Sequence, residues 1–226
     1  MSTITKRLLI LDPTLERHNE GFWNVPFLDG SSDFSSFNDA GIECETGEFL
    51  YSLVRLLKPS NVLETGTHWG VGASYMGLAL KDNNNGHLDT VEFLPEIHSR
   101  AVQRIATVGL NAQVTCHLMD VATYQPSVNY DLILLDTEPQ TRFAELLKFF
   151  DNLNPGGFVF IHDLHRGMGQ NSNNPDHPGE PHWPYGEVTK FMKEMVKLDK
   201  LRPFHFSTPR GFTGFYKTHP EDYKWE

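Results

Sequence analysis

From Cys44 onward the apolar positions alternate between two periods. In "TGEFLYSLVRLLKP" they fall at Phe49, Leu50, Leu53, Val54 and Leu57, the spacing of one helix face. Thr46 is placed to cap that helix and Pro59 to stop it. "NVLET" has the length of a buried strand, "GASYMGLALK" reads as a helix and "HLDTVEF" as a second strand. "PEIHSRAVQRIATVGL" opens on Pro95 and puts Ile97, Ala101, Ile105 and Val108 on one side. "AQVTCHLMD" and "YDLILLD" are strands. "TRFAELLKFFDNL" is a helix with Phe143, Leu146, Leu147 and Phe150 as its apolar face. "PGGFVFIHD" is a turn followed by a buried strand. "EVTKFMKEMVKL" is a further helix, and "RPFHFSTPRGFTGFYK" is a hairpin turning at Pro209–Gly211.

Strands that alternate with helices build a parallel sheet covered on both faces. A closing hairpin adds an antiparallel edge. Residues 1–43 show no period. The stretch "GFWNVPFLDGSSDFSSFNDAG" reads as an irregular arm, packed over a site or a partner subunit, or else lying on the surface. The expected organisation is an arm over 1–43 and one α/β domain over 44–226. Residues 164–186 are long for a connection and form a lid or binding loop, with His177, His182, Trp183 and Tyr185 available to an acceptor pocket.

A chain of 226 residues suits one such domain. Its net charge of −10, with no basic run, argues against a nucleic acid or an anionic membrane surface as partner. Cys44 and Cys116 are too few for a disulfide framework and lack metal-binding spacing. No apolar run approaches the roughly 20 residues of a membrane span. The first residues lack the pattern of a secretion signal, so the expected location is cytoplasmic.

Ligands of open α/β sheets bind beyond the carboxyl ends of the strands. All five predicted ends carry an acid: Glu64, Glu92, Asp120, Asp136 and Asp163, the last preceded by His162. Buried acids are costly without partners, so the series points to a site rather than to packing. The first of these ends runs into "LETGTHWGVGAS", with glycines at Gly66, Gly70 and Gly72. Glycines let backbone approach a ligand. The dinucleotide pattern G-x-G-x-x-G is absent, and Glu64 would repel a pyrophosphate while suiting an ammonium or sulfonium. Glu92 follows Gly72 by 20 residues, the position from which a carboxylate accepts ribose hydroxyls.

On these motifs the chain resembles class I S-adenosylmethionine-dependent methyltransferases. Within them it is similar to the small metal-dependent O-methyltransferases of the catechol and caffeoyl-CoA type and their bacterial tailoring relatives. The likeness runs over residues 44–163 and is looser in the hairpin. It implies a single Rossmann-like domain with a mostly parallel seven-stranded sheet, S-adenosylmethionine as cofactor, a small-molecule hydroxyl as acceptor, and a homodimer. It further implies that Glu64 and Gly66 line the methionine end, that Thr67, His68, Gly70 and Gly72 belong to the same cofactor-binding loop, and that Ser74 adds a hydrogen bond from the helix start. Glu92 would hold the ribose, Phe93, Asp120 and Val121 the adenine, and Asp136 would stand where cofactor and substrate meet.

Metal-dependent relatives use the positions matching Asp136, His162 and Asp163 as ligands. A His-Asp pair at the last two favours Mn²⁺, Fe²⁺ or Zn²⁺ over Mg²⁺. The other reading makes His162 and Asp163 hydrogen-bonding residues of a metal-free enzyme. The catalytic lysine of the catechol type is missing from "DTEPQTRF", and Arg142 is too basic to replace it. His165 is the first choice of base and His162 the second, with Asp136 beside them. Two rivals remain: an NAD-linked oxidoreductase, or an inactive nucleoside-binding protein on the same fold.

Overall fold

The computed structural model describes residues 3–19, 34–37, 41–164, 185–206, 208 and 210–222. The chain forms two compact units, Met1–Gln125 and Pro126–Glu226. The strands of its main sheet run β5-β4-β3-β6-β7-β9-β8, with a separate two-stranded ribbon, β1-β2.

The first unit contains α1 (Thr3–Leu11), β1 (Arg17–Asn19), β2 (Ser35–Phe37), α2 (Cys44–Leu57), β3 (Asn61–Thr65), α3 (Val71–Asn83), β4 (His87–Glu92), α4 (Pro95–Val108) and β5 (Val114–Leu118). Strands β3, β4 and β5 are parallel neighbours, with Glu64 opposite Thr90 in the register. Val62, Leu63 and Leu88 are fully buried. Each such side chain contributes about 1.5–3 kcal/mol. Every residue of α3 from Val71 to Leu80 is buried, so this helix is apolar all round rather than amphipathic. It crosses α2 closely: a Cβ on Gly47 would come within 2.4 Å of the Tyr75 ring. Helix α4 begins with Pro95 and stops at Gly109, whose φ of +74° suits a residue without a Cβ.

Two local expectations are corrected here. The helix read from Thr46 starts at Cys44, with Glu43 as its cap residue, and Thr46 Oγ1 donates back to Glu43 Oε2 at 3.0 Å. The span 1–43 also contains ordered elements among its described residues. Helix α1 buries Thr5 and Leu8, and Thr5 Oγ1 donates to Glu48 Oε1 at 2.7 Å. Strand β1 pairs with the buried β2, whose Ser35 N–H donates to Glu45 Oε2 at 2.7 Å. These elements are too short to show a period, and tertiary polar contacts hold them.

The second unit contains β6 (Tyr130–Leu135), α5 (Arg142–Phe149), β7 (Leu153–His162), α6 (Tyr185–Lys197), β8 (Leu201–Phe206) and β9 (Phe212–Lys217). β6 and β7 are parallel, β9 runs antiparallel to β7, and β8 antiparallel to β9. The mostly parallel sheet with its antiparallel hairpin is the architecture that the alternation of elements predicts. Pro203 falls in the edge strand β8, the setting in which a sheet tolerates proline. Rings of Phe160 and Phe212 stack at 4.9 Å and Phe204 closes on Phe160 at 5.1 Å, filling the hairpin's contact with β7. The "PGG" stretch, read as a turn, lies inside β7. Pairing jumps from Tyr130↔Leu153 to Leu132↔Phe158, so residues 154–157 form an irregularity in the strand.

Helix α5 buries a face rotated from the one expected, although Phe143 and Phe150 of the expected set pack edge-on against Phe191. Arg142, Glu145, Leu146 and Phe149 are buried, whereas Leu147 is half exposed. A buried arginine and a buried glutamate turn the helix: Arg142 finds partners at the carboxyl ends of β6 and β7, and Glu145 finds Thr137 and Thr141 in the segment before the helix.

Candidate functional site

The turn after β3 is shaped by three residues with positive φ: Gly66 (+80°), His68 (+47°) and Gly70 (+81°). Gly66 and Thr67 both donate their N–H to Val91 O, at 3.0 and 3.2 Å, which ties the turn to β4. His68 is a non-glycine residue in the left-handed region, a conformation costing about 1–2 kcal/mol. Its N–H donates to Glu92 Oε2 at 3.0 Å, and its ring stacks on Trp69 with centroids 5.3 Å apart. The Arg100 guanidinium lies 4.7 Å over the Trp69 ring. Arg104 donates to Trp69 O at 2.8 Å and to Asp12 Oδ2 at 2.8 Å. Asp12, just beyond α1, is therefore linked to the glycine turn through Arg104. Its carboxyl is held below the usual range: burial opposes ionisation, but hydrogen bonds from Thr14 and Arg104 outweigh it.

Glu64 is 2% exposed, and Thr90 Oγ1 donates to its Oε2 at 2.5 Å. Thr90 has one hydroxyl proton. Thr67 Oγ1, 2.5 Å from Thr90 Oγ1, is thus the donor in that contact. The relay Thr67→Thr90→Glu64 runs from the glycine turn to a buried carboxylate. Glu92 is 7% exposed. Its Oε1 accepts from Phe93 N–H and Leu94 N–H, each at 3.0 Å, so with His68 three main-chain donors converge on one carboxylate. Phe93, next to it, is 60% exposed, a large apolar face open to solvent. Asp120 follows β5 and is exposed; its Oδ1 accepts from Ala122 N–H at 2.8 Å, and Val121 is half-buried. Gly72 and Ser74 are buried within α3, and Ser74 Oγ donates to Gly70 O at 2.6 Å, bracing the helix start.

Sequence reading missed Thr90, Arg100, Arg104 and Asp12. Only Thr90 left a signal: a buried acid requires a donor from the next strand, and the register places Thr90 opposite Glu64.

Burial raises the Cys44 thiol to about 11. Burial first and the Glu64 charge second raise Cys116 to about 12. Thiolate is the reactive form, so both are inert at neutral pH. A disulfide reagent at pH 8 should label the native chain at least about 100-fold more slowly than the denatured chain. Rapid labelling of one thiol in the native protein would contradict this.

In the second unit, Asp136 directly follows β6, His162 is the last residue of β7 and Asp163 follows it. Ligating atoms of the three lie within 4.8 Å of one another. His162 is buried, and its Nδ1 donates to Asp136 Oδ1 at 2.9 Å, since a carboxylate oxygen can only accept. Asp163 has φ +53° and its Oδ1 lies 3.6 Å from the same nitrogen. Arg142, 2% exposed, reaches the middle of this group from the start of α5. Its Nη2 donates to Asp136 Oδ1 at 3.3 Å and to Asp163 Oδ2 at 3.1 Å. Its Nε donates to Thr137 O at 2.9 Å, and Nη1 donates to His162 O. Glu145, also buried, accepts from Thr137 Oγ1 and, at 2.9 Å, from Thr141 Oγ1. The sequence had marked Arg142 only as an unsuitable base. His165 lies outside the described residues, as do His177, His182 and Trp183; Leu164 is buried and Tyr185 opens α6. The predicted lid therefore falls almost wholly outside them.

Residues 63–164 match the family model of a methyltransferase domain. The O-methyltransferase TomG from Streptomyces achromogenes, solved with S-adenosylmethionine, superposes with a TM-score of 0.65 at 20% identity, covering 80% of this chain and 83% of that one. The fold is that of a class I methyltransferase. Two curated methyltransferases are similar over part of their length. A protein-L-isoaspartate O-methyltransferase of Ignicoccus hospitalis is 31% identical over 114 residues, 50% of this chain and 51% of that protein. A catechol O-methyltransferase of Niastella koreensis is 28% identical over 123 residues, 52% of this chain and 54% of the relative. The chain thus aligns with about half the length of these curated methyltransferases. Among the described residues no helix is long and apolar enough to cross a membrane.

Proposed function

We propose that this chain transfers a methyl group from S-adenosylmethionine to an oxygen of a small molecule. The observation that carries this reading is the glycine turn held by main-chain N–H groups on Glu92, with the buried acid Glu64 beside it. A dinucleotide site would put donors and positive charge at that turn; this one presents carboxylates. Glu92 keeps lone-pair capacity beyond its three amide donors and accepts from the ribose hydroxyls. The exposed ring of Phe93 offers a face to the adenine. The Glu64 charge complements the cationic methionine end of the cofactor, where ammonium and sulfonium both lie.

In the reaction an acceptor hydroxyl gives up its proton, its oxygen attacks the methyl carbon, the carbon–sulfur bond breaks, and S-adenosylhomocysteine leaves. Positioning for in-line attack is the protein's main contribution. His165 and His162 are the bases assigned in this reading, with Asp136 orienting His162 through Nδ1. The relatives' names, both O-methyltransferases, support oxygen as the atom methylated. A cytoplasmic location and a homodimer with residues 1–43 as an arm belong to the same reading; of these, the homodimer rests on the family resemblance.

Calorimetric titration of the full chain with S-adenosylhomocysteine tests it. Binding with a dissociation constant on the order of micromolar is expected, near −8 kcal/mol. No heat from a folded sample would end the reading, and binding of reduced nicotinamide cofactor instead would restore the oxidoreductase rival.

A further inference from the structure

The Asp136, His162 and Asp163 side chains have the donor types of a divalent-metal site, and their spacing is short enough for one. The surroundings do not fit such an ion. A guanidinium is always protonated, and Arg142 brings one to both carboxylates, at 3.3 and 3.1 Å. It is anchored there by two main-chain carbonyls, Thr137 O through Nε and His162 O through Nη1. Those bonds fix the plane of the fork, so the cation cannot swing aside without leaving buried carbonyls and a buried charge unpaired. A second guanidinium approaches from the β8–β9 connection, with Arg210 Nε 3.7 Å from Asp163 Oδ1. The imidazole atom nearest the carboxylates, His162 Nδ1, carries its proton towards Asp136 and has no lone pair for a metal. Two carboxylates are thereby matched by two arginines. A divalent ion would enter with no net negative charge to offset the loss of its water shell.

We propose that Arg142 is the built-in cation of this site: it positions Asp136 and Asp163 and stands where a divalent ion would otherwise bind. The inference deepens the acceptor-side part of the reading above. It makes the chain a metal-independent member of its fold. It also explains how β6 and β7 can both end on acids beside a buried arginine helix start. Sequence alone assigned those acids to a metal or to hydrogen bonding and could not choose. Arg142 is a positioning residue here, since it acts through the carboxylates it holds.

Mn²⁺ binding, followed by the loss of the free-ion paramagnetic resonance signal, tests the idea without any turnover. The wild-type full chain should show no stoichiometric site at concentrations up to about 1 mM Mn²⁺. Arg142→Ala leaves the carboxylate pair without its cation and should bind one Mn²⁺ at least about 10-fold more tightly than the wild type. Adding Asp136→Asn to that variant should remove the gain. Arg142→Lys keeps the charge and should resemble the wild type. One tight equivalent of Mn²⁺ on the wild type, lost with Asp136→Asn, would overturn the proposal. So would a folded Arg142→Ala variant that gains nothing. If Arg142→Ala does not fold, the wild-type titration decides by itself. S-adenosylhomocysteine titration of the same samples keeps failure of this inference separate from failure of the methyltransferase reading.

Discussion

Replacing Glu92 by alanine will reduce S-adenosylhomocysteine affinity by at least about 100-fold, or ~2.7 kcal/mol. Two losses combine. The ribose loses an ionised acceptor, and hydrogen bonds to charged groups contribute about 1.5–3 kcal/mol. The turn loses its clamp as well. His68 N–H, Phe93 N–H and Leu94 N–H all converge on this carboxylate, and His68 holds a left-handed backbone that its neighbours must enforce. Glu92→Gln separates the two contributions. An amide keeps one acceptor oxygen and points an NH₂ at one of the remaining N–H donors, so its affinity should fall between wild type and Glu92→Ala. Calorimetry on all three proteins, with circular dichroism to show that they fold, measures this. A change below about 3-fold for Glu92→Ala would mean that the ribose is held elsewhere.

The second large effect is on stability. Arg142→Met should lower the free energy of unfolding by about 3–5 kcal/mol, because it strands buried partners rather than merely losing an attraction. Asp136 and Asp163 would face each other without their shared cation, and Thr137 O and His162 O would lose their donor. In thermal melts that corresponds to a fall of about 6–20 °C for a chain of this size. Asp136→Asn introduced together with Arg142→Met should recover part of the loss, since it removes one of the two charges left behind. Strict additivity of the two substitutions would show that Arg142 is held by packing and not by the carboxylates.

The two sites differ in how far sequence could reach them. The glycine turn and Glu92 were legible because their chemistry is local: a strand, a turn that demands positive φ, and an acid one strand later. Any fold with alternating strands and helices brings those positions to the same sheet edge. Asp136, His162 and Asp163 were also named, since each ends a strand. Arg142 was not recognised, because its role depends on the rotation of α5 about its axis. The apolar pattern Phe143, Leu146, Leu147 and Phe150 suggested one face. The buried face instead runs through Arg142, Glu145, Leu146 and Phe149. Binary patterning assumes that charged side chains turn outward. It fails where a buried charge finds charged partners.

What the sequence by itself determined is the alternation of elements, the parallel sheet with its hairpin, and an acid at the carboxyl end of each of the five strands β3 to β7, since period, turn residues and residue type are properties of short segments. Tertiary structure alone decided the partners of those acids. It set Thr90 across from Glu64, brought Asp12 to the glycine turn through Arg104, and placed the Arg142 guanidinium between Asp136 and Asp163. Each of these joins residues far apart in the chain or depends on how a helix is rotated. Buried charge selects its geometry only once the surrounding backbone has excluded water, and no local pattern records that.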